Sequence, residues 1–224
     1  MRNSSSNVKR ITMIGLFSAI AFALMYFGRI PVVLFLKYDP KDIVITLGGF
    51  IMGPLSALII SVIVSLIEMF TASDTGIIGF IMNVLSTCSF ACVAALIYQK
   101  KKTLKGAVIG LVAGCVLMVA VMLLWNYLIT PLYMKCTREQ VVELLLPAFL
   151  PFNVLKGGLN AAFTFLLYKP VVTALRKSGL VEMGSAKAES KEGAKSGKNI
   201  GMKLVALVVI AACVLWVLVL KGII

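Results

Sequence analysis

The chain has 224 residues, 60% of them hydrophobic and 14% charged, with a mean hydropathy of +1.02, whereas soluble domains carry roughly 45–50% apolar residues. That composition excludes a water-soluble domain, and the apolar stretches leave room for six or seven membrane spans of about 20 residues each and little else. The net charge of +13 does not mark a nucleic-acid surface, because the Lys and Arg residues cluster between apolar segments, where they set topology.

In chain order, a polar start precedes an apolar run over 11–27. It reads as a first span rather than a removed leader: the run continues past the cleavage-like Ala21-Phe22-Ala23, and the rest of the chain is itself apolar. Residues 32–42 are too charged for the bilayer centre and too apolar for a solvated loop, so this segment is expected to fold back onto the protein. A short second span over 43–52 stops at Gly53-Pro54, a helix breaker, and a third covers 55–70. The polar interval 71–76 leads to a fourth span over 77–98, closed by Lys100, Lys101 and Lys102, and then to a fifth over 106–129. Residues 130–143, with Pro131, are expected to form a loop, and a sixth span over 144–175 is expected to be interrupted at Pro147 and Pro151. The sequence thus predicts an all-α, six-helix membrane domain over 1–177. After it come a disordered basic cytoplasmic linker over 178–203 and a further transmembrane helix within 204–224.

With the N-terminus in the cytoplasm, 15 of the 22 Lys and Arg residues fall inside, six fall outside and Lys156 lies within a span; the positive-inside rule supports that orientation. The five cysteines sit mostly in apolar runs and read as small hydrophobes. Cys88 and Cys92 share a helix without any His in the chain, so a metal site is not indicated. No GxxxxGK[ST] phosphate loop, HExxH or GxSxG motif occurs.

The informative residues are polar ones inside the spans, which desolvation penalises. Glu68, Asn83, Trp125, Asn126, Asn153 and Lys156 all fall toward the extracellular side in this orientation. Asn153 and Lys156 are three apart and share a helix face, with Asn160 one turn on. An amide that donates and accepts beside an ammonium that only donates suits a planar heterocycle bearing carbonyls or ring nitrogens, or a polyol. The competing reading is structural: Asn153 bonds a neighbouring helix and Lys156 pairs with Glu68 or Asp42. Tyr38, Phe90, Trp125 and Phe152 stand near the same level, either to stack on a flat ligand or, for Trp125 above all, as part of an interfacial belt. Gly15, Ala19 and Ala23 form a small-residue ridge on the first span, suited to an internal helix contact or to a partner subunit.

The run Phe35-Leu36-Lys37-Tyr38-Asp39-Pro40-Lys41-Asp42-Ile43, then Gly48-Gly49-Phe50 and Gly53-Pro54, then Trp125-Asn126 and Pro151-Phe152-Asn153-Val154-Leu155-Lys156-Gly157 together resemble the substrate-capture (S) components of energy-coupling factor (ECF) vitamin transporters, the riboflavin-specific branch in particular. The resemblance covers about residues 8–178. It implies a six-helix domain that binds riboflavin near the outer face of a bacterial cytoplasmic membrane. It also implies partners: a transmembrane coupling subunit and two ABC-type ATPases, with no cofactor and no catalysis by this chain. By analogy Asn126, Asn153 and Lys156 hydrogen-bond the flavin, Trp125 and Phe152 flank it, Asn83 is a further contact, and the loop around Lys37, Tyr38 and Asp39 closes over it. Gly15, Ala19 and Ala23 become the docking face for the coupling subunit. The C-terminal segment departs from the six-helix pattern. The alternatives are an S component for another vitamin or flavin analogue, a membrane enzyme using Lys156 or Glu68 as a base, and a purely structural protein.

Overall fold

The computed structural model describes residues 2–33, 36–177, 204, 206–214, 217 and 218. The first helix, α1 (Arg2–Gly28), leads into a short antiparallel hairpin, β1 (Ile30–Val33) and β2 (Leu36–Tyr38), paired Ile30 with Tyr38 and Pro31 with Lys37. This is how residues 32–42 pack on the bundle: Val32, Leu36 and Tyr38 turn inward while Lys37 turns out. Then comes α2 (Lys41–Met52), whose 12 residues rise only about 18 Å at about 1.5 Å per residue, less than a bilayer core. Gly53 alone joins it to α3 (Pro54–Thr71). Its φ of +100° suits only glycine, a Cβ there would meet the Gln99 amide, and Pro54 opens α3 at a position that needs no N–H.

A continuous rod comes next, made of α4 (Gly76–Thr87), a π-helical turn (Cys88–Cys92) and α5 (Val93–Lys101). Against it lies α6 (Leu104–Met134), started by the Thr103 hydroxyl, which accepts from the Gly106 N–H. The contact is backbone to backbone: a Cβ on Gly110 would stand 2.7 Å from the Ala94 carbonyl oxygen and one on Gly114 2.5 Å from that of Phe90. Last come α7 (Arg138–Leu144), begun by a Thr137/Gln140 capping box, a second π-helical turn (Leu145–Phe149) and α8 (Leu150–Lys177).

Five of these rods are long and apolar enough to cross a membrane: Asn7–Gly28, Pro54–Thr71, Gly76–Lys101, Leu104–Met134 and Arg138–Leu175. With the short α2 they form the six-helix bundle of a multi-pass membrane protein. Two expectations are corrected. Residues 130–143 are not a loop: α6 runs through Pro131 to Met134, and the link to α7 is Lys135 to Thr137, with Lys135 in the left-handed region. On either side of the proline the fully buried Thr130 hydroxyl contacts the Asn126 side-chain oxygen and the Tyr133 hydroxyl. Nor is the sixth span broken at Pro147 and Pro151: Pro147 sits within the wider π-helical turn, Pro151 is the second residue of α8, and the chain stays helical through both.

The bundle has two cores. The larger gathers Phe17, Ile45, Ile60, Val64, Phe90 and Met118 between α1, α2, α3, the first π turn and α6. The smaller joins the hairpin to α8 through Val32, Leu36, Tyr38, Phe149, Phe152, Leu155 and Leu159. The expected linker at 178–203 lies outside the described residues, whereas 206–214 are helical.

Candidate ligand-binding pocket

Between the two cores opens a pocket of about 120 Å³, tighter than the roughly 300–1,000 Å³ typical of small-molecule sites. Six parts of the chain wall it: Arg29 with the hairpin residues Leu36 and Lys37 and the adjoining Asp39, Glu68 on α3, the α3–α4 turn with Ser73, Asp74 and Thr75, Asn83 and Ser86 on α4, Asn126 on α6, and Phe152, Asn153 and Lys156 on α8. The polar face on α8 arises where the helix resumes after the π turn, since the extra residue of such a turn rotates the residues beyond it; π turns recur at functional sites for this reason.

The two amides are held in place and still have bonding capacity. Asn126 donates to the Met122 carbonyl at 2.7 Å and accepts from the Thr130 hydroxyl at 3.0 Å; Asn153 donates to the Phe149 carbonyl at 2.8 Å. Each keeps a second N–H, and the Asn153 carbonyl oxygen has no bonding partner among the described residues. Asn83 has no bonded partner for its amide among them either. Phe152, Met82 and Met122 give the same pocket apolar surface.

Beneath the pocket lies a network of buried charges. The Lys156 ammonium is 3.3 Å from an Asp42 carboxylate oxygen, and Asp42 also accepts from the Thr87 hydroxyl at 2.6 Å and the Asn160 amide at 3.2 Å. Asn160 in turn accepts from the Tyr38 hydroxyl at 3.2 Å. Beside this, Glu68 is clamped between Arg29 and Lys41, and Asp39 lies 3.9 Å from Arg29 and 3.8 Å from Lys41. Burial by itself would raise the Asp39 carboxyl, but Lys41, Lys156 and Arg29 outweigh it and hold the group below the usual aspartate range. Burial, reinforced by the Asp42 and Asp39 carboxylates, pushes the Tyr38 phenol up, so it serves as a neutral donor. At the mouth an exposed pair, Lys37 and Asp74, bridges the hairpin and the α3–α4 turn at 3.1 Å.

Of the residues singled out in the sequence, Lys37, Asp39, Glu68, Asn83, Asn126, Phe152, Asn153 and Lys156 line this one pocket. Tyr38 and Trp125 do not: Tyr38 is buried behind it on Asn160, and Trp125 packs against the larger core, its indole N–H unpartnered among the described residues. Both roles weighed for Lys156 coexist, since it faces the pocket and pairs with Asp42. Arg29, treated in the sequence only as a loop charge, is a pocket residue, and Lys41 is fully buried. Their signal was acidic: Glu68, Asp39 and Asp42 are charges that burial tolerates only with cations beside them. Gly15, Ala19 and Ala23 lie exposed along α1, with open space over Gly15.

The sequence profile of the family described as "ECF transporter, substrate-specific component" matches residues 9–168. The chain belongs to this family. This substrate-specific component is 27% identical to the Riboflavin transporter RibU of Staphylococcus aureus (strain TCH60), over 75% of this chain and 93% of that one. It is also 27% identical to the Riboflavin transporter FmnP of Bacillus subtilis (strain 168), over 72% of this chain and 92% of the relative. A solved structure of the S component of a bacterial ECF transporter superposes with a TM-score of 0.65 at 28% identity, covering 75% of this chain and 98% of that one.

Proposed function

We propose that this chain captures riboflavin outside the cell for uptake, as the substrate-specific subunit of an ECF importer in the cytoplasmic membrane with its N-terminus inside. The observation that carries the reading is the convergence of Asn126, Asn153 and Lys156 with Phe152, Met82 and Met122 on one pocket. A flat tricyclic ring needs apolar faces against it and donors and acceptors at its edge, and these residues supply both. The names of the relatives point to the same ligand. Charge supports a neutral form of it: Arg29, Lys37 and Lys156 face Asp39, Glu68 and Asp74 around the pocket, so a phosphate finds no surplus of cations to repay its desolvation.

Capture and energy supply are divided in this reading. Lys156 and the two amides hold the ring edge, Lys37 and Asp74 close the mouth, and ATP is hydrolysed by separate subunits. The coupling subunit docks on the Gly15, Ala19 and Ala23 ridge of α1, where small residues permit close helix approach. The test is to purify the chain from cells grown with riboflavin and identify the bound small molecule by absorption and mass spectrometry, followed by competition with FMN and unrelated vitamins. Co-purified flavin, displaced by riboflavin more readily than by FMN, is the expected result. A folded protein that carries and binds another vitamin instead would overturn the riboflavin assignment.

A further inference from the structure

The helix over 206–214 lies beyond the family match, which ends at residue 168, yet it packs on the smaller core. Ala206 is buried, and Ile210, Cys213 and Val217 contact that core. These four positions recur at helical spacing and form one face, while Leu204, Leu207, Val208 and Val214 remain exposed on the other side. The seat is a notch in α8 at Gly158: a Cβ there would stand in ordinary contact, 3.7 Å from Val209 Cγ1 and 3.8 Å from Cys213 Sγ, so a bulkier side chain directed the same way would press on the helix. Small residues at such contacts suit membranes, where packing rather than water exclusion holds helices together.

The core under this helix also contributes to the pocket. It includes Leu36 of β2 and Phe152 of α8, both of which line the pocket, together with Val32 and Tyr38 of the hairpin. A hairpin with strands of four and three residues is marginal on its own and depends on what its apolar side rests against. The α1 ridge at Gly15, Ala19 and Ala23 stays exposed, so the added helix leaves that face clear.

We infer that the C-terminal helix docks in cis in the Gly158 notch as a seventh wall of the binding domain and braces the hairpin against α8, so that bound ligand leaves more slowly. The ligand part of this rests on the riboflavin reading; the bracing does not.

Two variants and two readouts test it. In a full-length chain with Cys88, Cys92, Cys115 and Cys136 replaced by Ala, Gly158→Cys is oxidised in intact membranes. An intramolecular disulfide with Cys213, seen as lost maleimide-PEG labelling, is expected. A chain ending at residue 203 and a full-length Gly158→Leu variant are then compared with the parent for riboflavin release and for amide exchange over 30–38. Both are expected to release riboflavin about five-fold faster, with unchanged site number, since contacts of this kind act on dissociation, and to exchange the hairpin amides faster. Absence of the disulfide, or a disulfide with unaltered release and exchange in both variants, would overturn the inference. If no chain binds riboflavin, the disulfide and the exchange still decide the bracing.

Discussion

Replacing Asp42 by Asn leaves the Lys156 ammonium buried without its anion. The pair is 3.3 Å apart, with side chains 8% and 1% exposed, and removing one member of such a pair costs about 3–5 kcal/mol because the survivor stays desolvated. Lys156→Met strands the carboxylate instead, but Asp42 keeps the Thr87 and Asn160 donors, so its cost falls at the lower end, about 3 kcal/mol. The double variant removes both charges together. Its loss is expected to be smaller than the sum of the single losses by about 2–3 kcal/mol, at the upper end of couplings between contacting residues. Equilibrium unfolding in mixed micelles, followed by tryptophan fluorescence, measures all three. Additivity within about 0.5 kcal/mol, the behaviour of independent sites, would refute the claim that the two form a buried, mutually dependent pair.

Other perturbations give separate outcomes. Gly114→Ala places a methyl 2.5 Å from the Phe90 carbonyl oxygen and is expected to cost about 1–3 kcal/mol as overpacking, read as a lowered thermal midpoint and folded yield. Lys37→Ala and Asp74→Ala remove a pair whose side chains are 42% and 84% exposed; each is expected to change stability by less than about 1 kcal/mol in the same assay. The Asp39 carboxyl, held below its ordinary value by Lys41, Lys156 and Arg29, contributes stability that is present above about pH 3.9, the ordinary aspartate pKa, and lost as pH falls through its native value. The stability gap between the parent and Asp39→Asn is therefore expected to be constant from pH 7 to 5 and to shrink below pH 4.

The span order was legible because long apolar runs and their breakers are local signals: Gly53-Pro54, the lysine run at 100–102 and the polar interval at 71–76 mark real ends. Continuity through prolines was not. Whether Pro131 or Pro147 ends a helix depends on packing contributed by other parts of the chain and on π turns that leave no compositional trace. The hairpin was legible only as a segment that returns to the protein; its pairing of Ile30 with Tyr38 is set by what Val32, Leu36 and Tyr38 cover on α8, far along the chain. In the pocket, Asn153 and Lys156 stood out because residues three apart on a helix share a face. Arg29 did not, since its partner Glu68 lies 39 residues away, and the sequence alone cannot separate a buried cation from a loop charge. Tyr38 and Trp125 were singled out as aromatics near the right depth, and depth does not fix direction: one turns to Asn160 and the other into the larger core.

The most direct test of the central claim is a riboflavin titration followed by flavin-fluorescence quenching, run on the parent chain, Asn153→Ala and Lys156→Ala. Saturable one-to-one quenching in the parent is expected, weakened by roughly three- to ten-fold in Asn153→Ala and by ten-fold or more in Lys156→Ala, as the loss of a neutral and a charge-assisted hydrogen bond implies. No quenching by a folded parent, or equal affinity in all three, would contradict the assignment of this pocket to riboflavin.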